Sequence, residues 1–248
     1  MPKKKPGSLR IGTSNVVLPF NKSKFPADYQ VKTRLSYYAS LFNTVELNST
    51  FYKLPLPATF EKWAEEVPDN FQFSIKLWRE ITHAKKLVFD VEKLSKFLDA
   101  AKELGEKKGC LLVQFPGKIT LDYYSEVEGI LQELSVAQTW RIALEFRSST
   151  WHTRETYELL DEYGATMVLH DQAKSVNLEL NTSADFVYMR FHGPGGDYRG
   201  AYPDEFLVEQ HDRIGRWLKE GKDVYVYFNN TIGNAFDNTV SLQRMDIR

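Results

Sequence analysis

The sequence predicts a TIM-like (β/α)8 barrel: a single domain of parallel strands with helices packed outside. Eight short apolar runs recur along the 248 residues, amphipathic segments lie between most of them, and no polar linker or change of composition divides the chain. Alternation of this kind needs crossover connections, which produce parallel sheets, and eight repeats favour a closed barrel over an open sheet. The first strand is expected at residues 10–13 (RIGT). The long connection 14–29 that follows holds Pro19 and Pro26 and reads as an elaborated loop over a site. Further strands are expected at 44–50 (TVELNST), 71–77 (FQFSIKL), 110–115 (CLLVQF) and 141–147 (RIALEFR). The last three are expected at 166–171 (TMVLHD), 186–192 (FVYMRFH) and 224–230 (VYVYFNN). Helices are expected near 32–42, 58–66, 91–104, 121–134, 154–163 and 205–219. Between Asp171 and Asp185 there is little room for a full helix. Residues 1–8, with Lys3, Lys4 and Lys5, read as a basic flexible tail ahead of a domain at 9–248.

Bulk composition narrows the function classes. A net charge of −1 provides no global basic field, so a nucleic-acid partner would need a local cleft. The lone cysteine, Cys110, excludes an internal disulfide and fits a reducing, cytoplasmic setting. No apolar stretch reaches the roughly 18–20 residues needed to span a bilayer, so no membrane partner is expected. Oligomeric state cannot be read. The Gly-x-Ser-x-Gly elbow, the Walker loop, the dinucleotide fingerprint and zinc-spaced Cys/His sets are all missing, which argues against serine hydrolases, nucleotide triphosphatases and NAD enzymes.

Strand alternation collects polar residues inside one end of the barrel. With Ile142, Leu144 and Phe146 facing the helices, Ala143, Glu145 and Arg147 face inward. With Val187, Met189 and Phe191 outward, Tyr188, Arg190 and His192 face inward. The same parity places Glu46, Asn48, Lys76, Gln114, Asp171, Tyr227 and Asn229 inside, and His170 outside. These residues sit in the C-terminal halves of their strands, the face where barrel enzymes put their chemistry.

Six ordered motifs, TVELNSTFY, FQFSIK followed by ITH, LLVQFP, ALEFR followed by Trp151, YMRFHG and VYVYFNNTIGNA, resemble the YecE-like proteins, a family known as domain of unknown function 72. The likeness runs from about Leu9 to Leu242. It implies a TIM-like barrel and brings no established activity. The stretch SNVVLPFNKSKFP after the first strand, and Ser148 after Arg147, depart from the family's pattern.

Two chemistries compete at the mouth. Glu46, Glu145 and Asp171 could share general acid and base roles with His192, or hold a divalent metal. Lys76, Arg147 and Arg190 already balance three carboxylates, so ion pairs are favoured over a metal and no cofactor is assigned. Alternatively, those three cations clamp an anionic or phosphorylated ligand. The loop His192–Gly200, with Gly193 and Tyr198, and the segment from Asn229 and Asn230 onward occupy the usual phosphate position of such barrels. His83 is a further candidate contact, while Trp78 and Tyr198 could stack a ring. The expected function is therefore an enzyme acting on a phosphorylated compound, with a phosphodiester or nucleic-acid hydrolase as one form. A carbohydrate enzyme with paired carboxylates and a non-catalytic small-molecule binder are the alternatives.

Overall fold

The computed structural model describes residues 5–137 and 140–245. Nine strands are formed among the described residues: β1 Leu9–Thr13, β2 Thr44–Leu47, β3 Gln72–Lys76, β4 Lys108–Phe115, β5 Arg141–Phe146, β6 Thr166–Met167, β7 Leu169–His170, β8 Phe186–Phe191 and β9 Asp223–Phe228. Their ladders are all parallel, in a five-stranded sheet ordered β2-β3-β4-β5-β6 and a four-stranded sheet ordered β1-β9-β8-β7. Helices follow most strands, so the protein is of the parallel α/β class that the alternation predicts.

The hydrogen bonding is not one continuous ring. The sixth expected strand, 166–171, is divided at Val168, whose N–H reaches Leu144 O at 2.8 Å. β6 therefore pairs with β5, and β7 with β8. At the other junction β1 meets β2 through a single bridge, Ser14 to Glu46. Side chains replace the missing ladder there. Asn43 Oδ1 accepts the Ile11 N–H at 3.2 Å, its Nδ2 donates to Leu9 O at 2.9 Å, and the Tyr38 hydroxyl accepts the Thr13 N–H at 2.7 Å. Gly12 permits this approach, because a Cβ on it would stand 2.2 Å from Thr44 O.

Two other expectations change. The second strand stops at Leu47 rather than Thr50, and Ser49–Tyr52 forms a helical turn preceded by Asn48. Gly7 and Ser8, expected in the tail, are tied to the domain. Gly7 N donates to Leu218 O at 2.9 Å, Ser8 donates its N–H (2.7 Å) and hydroxyl (2.6 Å) to Asp223 Oδ1, and Val224 N returns a bond to Ser8 O at 2.8 Å. Lys3 and Lys4 lie outside the described residues.

Strand alternation sorts the core into layers. Val187, Met189, Phe191, Val224 and Val226 pack outward with Leu207, Ile214 and Leu218 of the helix Asp204–Lys219. Leu111, Val113, Leu144 and Phe146 pack outward against the other helices. The interior is filled by Cys110, Leu112, Ala143, Val168, Phe186, Tyr188, Tyr225 and Tyr227. Aromatic rings fill this space well only if their hydroxyls find partners, and they do: Tyr227 Oη lies 2.8 Å from Ser74 Oγ and 2.7 Å from Thr44 Oγ1, and Tyr225 donates to Gln72 Oε1 at 2.8 Å.

Candidate functional site: a cation-lined cavity over a buried ion-pair floor

Above the tyrosine layer, register brings the charged residues together. Gln114 is level with Glu145, His170 with Arg190, Arg190 with Tyr227, and Ser14 with Glu46. Glu46 and Glu145 are fully buried, and Arg190 is 1% exposed. Arg190 clamps Glu46 with Nε to Oε2 (2.9 Å) and Nη2 to Oε1 (2.8 Å), and its Nη1 donates to Glu145 Oε2 at 2.6 Å. Ser14 Oγ (2.6 Å) and Asn48 Nδ2 (3.2 Å) complete Glu46 Oε1, Tyr188 Oη (2.7 Å) completes Oε2, and Arg147 Nε donates to Glu145 Oε1.

Burial alone would raise both carboxyl pKa values. The Arg190 charge and hydrogen bonds outweigh it at Glu46, which is held below the usual range. At Glu145 the Arg147 and Arg190 charges prevail against burial and hold it well below that range. These are carboxylates locked as counter-ions. Neither carries a proton to give near neutral pH, and each of their oxygens is already engaged by a donor.

His192 and Asp171 are likewise engaged. His192 Nε2 faces Arg147 Nη2 at 2.9 Å and Arg190 Nη1 at 3.4 Å, so it must accept, and the ring proton sits on Nδ1, 3.2 Å from Asp171 Oδ1. Burial, opposed only in part by Asp171, lowers its pKa and keeps it neutral. Asp171 Oδ1 also accepts the His192 N–H at 2.7 Å, and its Oδ2 accepts from the Tyr202 hydroxyl. Asp171 thus pins the loop after β8.

The expected parity of β7 is reversed. His170 pairs level with Arg190 and is buried beside the cluster, its pKa pushed down to about 4, chiefly by burial. Asp171 follows the strand's last residue. Among the described residues no three His, Cys, Asp or Glu side chains are grouped as metal ligands. Arg190 stands between the carboxylates where a metal would have to sit.

The cavity opens above this floor. Its volume is about 220 Å³, and Asn15, Asn48, Phe51, Tyr52, Lys76, Gln114, Arg147, Arg190, Tyr198 and Asn229 line it. Glu46, Glu145, Asp171 and His192 are not among the lining residues. Larger depressions, of about 500 Å³ around Trp140 and Arg141 and about 530 Å³ around His152 and Asn181, lie away from this cluster and, among the described residues, contain no comparable buried charge network.

Lys76, the last residue of β3, is the distinctive group of the lining. Its Nζ donates to Gln114 Oε1 at 2.6 Å and lies 4.1 Å from the centre of the Phe51 ring. Among the described residues it has no carboxylate within ion-pair distance. Burial, then the Arg190 charge, lowers its pKa to about 8 against the opposing pull of Glu145 and Glu46. His83 ends the helical turn Arg79–Thr82 and packs edge-to-face against Phe51, with ring centres 4.8 Å apart. Its pKa falls to about 4 through burial and then the Lys76 charge, so it is neutral, and it is not among the residues that line the cavity.

The glycine loop is used differently from the expectation. Gly193 N donates to the Tyr202 hydroxyl at 2.5 Å, Gly196 N to Gly193 O at 2.7 Å and Tyr198 N to His192 O at 2.6 Å. Gly233 packs on Gly200, where a Cβ would meet Gly200 O at 2.4 Å. These glycines fit two loops to each other, and Gly193 has no amide left for a phosphate. Asn230, expected as a contact, is fully buried and ties the same loops through Gly200 O (2.9 Å) and Asn238 Oδ1 (3.0 Å). Asn229 does reach the cavity, and Tyr198 lines it with a backbone φ of 69°. Trp78 is partly buried in the core.

Sequence reasoning missed Asn15, Phe51, Tyr52 and Tyr202 and left Ser14 and Tyr188 without partners. Asn15 has φ 63°, and its Oδ1 takes the Asn48 N–H at 3.1 Å. Positive φ on a non-glycine residue costs energy and is tolerated best by Asn, but the sequence gives no sign of it.

With the site placed, likeness to other proteins becomes informative. The family model described as "Protein of unknown function DUF72" matches residues 10–246. The chain belongs to the DUF72 family. UPF0759 protein YunF of Bacillus subtilis is 26% identical over 252 residues, covering 87% of each chain. UPF0759 protein YecE of Escherichia coli K12 is 34% identical over 84 residues, about a third of either chain. A DUF72 family protein of Enterococcus faecalis V583 superimposes with a TM-score of 0.79 at 22% identity, covering 97% of this chain and 98% of that one. One of Thermotoga maritima MSB8 gives 0.73 at 25% identity, with coverage of 96% and 98%. The YecE-like resemblance and the parallel α/β fold are thereby established. No helix among the described residues is long and apolar enough to cross a membrane.

Proposed function

We propose that this protein binds a small anionic ligand, phosphorylated in the favoured case, in the cavity bounded by Lys76, Arg147 and Arg190. One observation carries the reading: Glu46 and Glu145 are sealed beneath the lining, so the face offered to a ligand contains cations, neutral amides and aromatic rings. A buried ammonium without a counter-ion is unfavourable until something negative arrives, and Arg147 beside it has the planar fork that suits phosphate or carboxylate. The volume, about 220 Å³, suits a metabolite. A nucleic-acid hydrolase would have to admit a strand terminus alone. The locked carboxylates speak against the carbohydrate-enzyme alternative, which needs one carboxyl able to give a proton.

The reading includes a barrel in which the β1–β2 contact and the division at Val168 close the two sheets on each other, with the cavity at its C-terminal mouth. Buried, unpaired Cys110 is in keeping with a cytoplasmic setting.

The test is a thermal-shift series with inorganic phosphate, small phosphorylated metabolites and their dephosphorylated counterparts. A ligand at about 100 times its Kd adds about 2.7 kcal/mol. Phosphorylated compounds should raise Tm while the dephosphorylated ones do not. In Lys76→Met the response should disappear, with stability in urea within about 1 kcal/mol of the parent, since a desolvated charge has been exchanged for an apolar chain of similar length. Equal shifts from phosphorylated and plain compounds would remove the anion site.

A further inference from the structure

We propose that Lys76 is an amine nucleophile that forms an imine with a small aldehyde or ketone bearing an anionic group. This rests on the anion-binding reading and specifies the substrate class and the chemistry.

The geometry supplies each requirement. Lys76 ends β3 inside the cavity, so its amine meets whatever the cavity holds. Gln114 Oε1, at 2.6 Å, accepts one N–H and leaves the rest of the nitrogen to face the ligand. The Phe51 ring, 4.1 Å away, removes water from one side. The charged groups around the amine are Arg190 and Arg147, which disfavour the ammonium, and Glu145 and Glu46, which favour it but are tied to those guanidiniums. Burial and the cationic neighbours therefore release the proton near pH 8, the usual route to a reactive lysine. Arg147 and Arg190 remain as cations to hold the anionic group. Asn48 lines the cavity, and its Oδ1 is buried without a hydrogen-bond partner among the described residues.

The step balances without an oxidant or a cofactor. The neutral amine attacks the carbonyl carbon, forming a C–N bond as the C=O π pair moves to oxygen. Nitrogen releases a proton to water and oxygen gains one, giving a carbinolamine. The nitrogen lone pair then expels the hydroxyl, protonated by solvent, as water, and the resulting iminium nitrogen returns its proton to solvent. One amine and one carbonyl become one imine and one water.

The experiment uses the full chain with glycolaldehyde phosphate, with glycolaldehyde as the uncharged control, each trapped by cyanoborohydride and mapped by peptide mass spectrometry. Lys76 should be labelled at least 10-fold faster by the phosphate ester than by glycolaldehyde. It should also outpace the surface lysines Lys62 and Lys96, whose side chains are 70% and 69% exposed. The rate at Lys76 should rise through pH 8, below the range of the surface residues. Lys76→Arg keeps the charge, so it should keep the thermal shift with inorganic phosphate while yielding no adduct at this position. If phosphate stabilises the protein but Lys76 stays unlabelled, the nucleophile is overturned and the anion site stands. If both aldehydes label Lys76 equally and phosphate gives no shift, the anionic half of the proposal falls together with the reading beneath it.

Discussion

On the floor of the cavity each carboxylate oxygen of Glu46 and Glu145 meets a donor, whereas on the wall the Lys76 ammonium meets, among the described residues, only a neutral amide and an aromatic ring. Both regions are built from strand ends of the same fold, a few residues apart in register. The floor invests its charges in one another and gains rigidity. The wall leaves a charge uncompensated and gains reactivity. A mixed-charge cluster therefore divides into support and working surface according to which charges already have partners, a distinction that formal charge cannot make.

Removing the central cation is the strongest way to break this contrast. Arg190→Met leaves two buried carboxylates without their shared partner, and loss of one member of a buried ion pair costs about 3–5 kcal/mol. Urea denaturation should show a loss of that size. A loss below about 1 kcal/mol would mean that the floor is hydrated and that its separation from the wall is false.

Acid titration is expected to have the next largest effect. His170 is held neutral, with its pKa lowered from 6.5 to about 4. Between those values the unfolded chain binds a proton that the folded chain refuses, so stability falls as pH falls through this window. The contribution of this one residue is up to about 3 kcal/mol. Glu46 and Glu145, with lowered pKa values, add their stabilisation above the ordinary carboxylate range and lose it at still lower pH. Denaturation curves at pH 7 and pH 4.5 should differ accordingly. Identical curves would contradict the burial of His170.

Tyr188→Phe sharpens the picture at smaller scale. It deletes the 2.7 Å bond to Glu46 Oε2 but leaves Arg190 Nε on the same oxygen, so about 1–2 kcal/mol should be lost in urea. The cavity response to phosphate should persist, because Tyr188 belongs to the interior layer.

Parity was the most legible part of the site. Alternation in β5 and β8 correctly turned Glu145 and Arg190 inward, because both strands are regular and their outward residues are plainly apolar. It failed at TMVLHD, where Thr166 is an inward residue and the strand ends at His170, so counting from Asp171 inverted the order. It also carried β2 through Asn48, where the backbone instead enters a helical turn. The partnerships were illegible for another reason. Tyr202 reaches Asp171 from 31 positions away, and Ser14 reaches Glu46 from 32, through loops whose paths no local pattern encodes. Gly193 and Asn230 were chosen for their residue types, but those types serve loop packing here.

The β1–β2 junction has a consequence for motion. An amide in a regular ladder is released when neighbouring backbone groups separate together, so several protons become exchangeable in one cooperative event. Ile11 and Thr13 are different, each held across the gap by one side chain, Asn43 or Tyr38. Rotation of either side chain frees one amide and leaves the bonds of β1 to β9 intact. Exchange with deuterated solvent along this edge is thus governed by side-chain rotation, residue by residue, while the opposite edge of the same strand remains tied to a cooperative sheet.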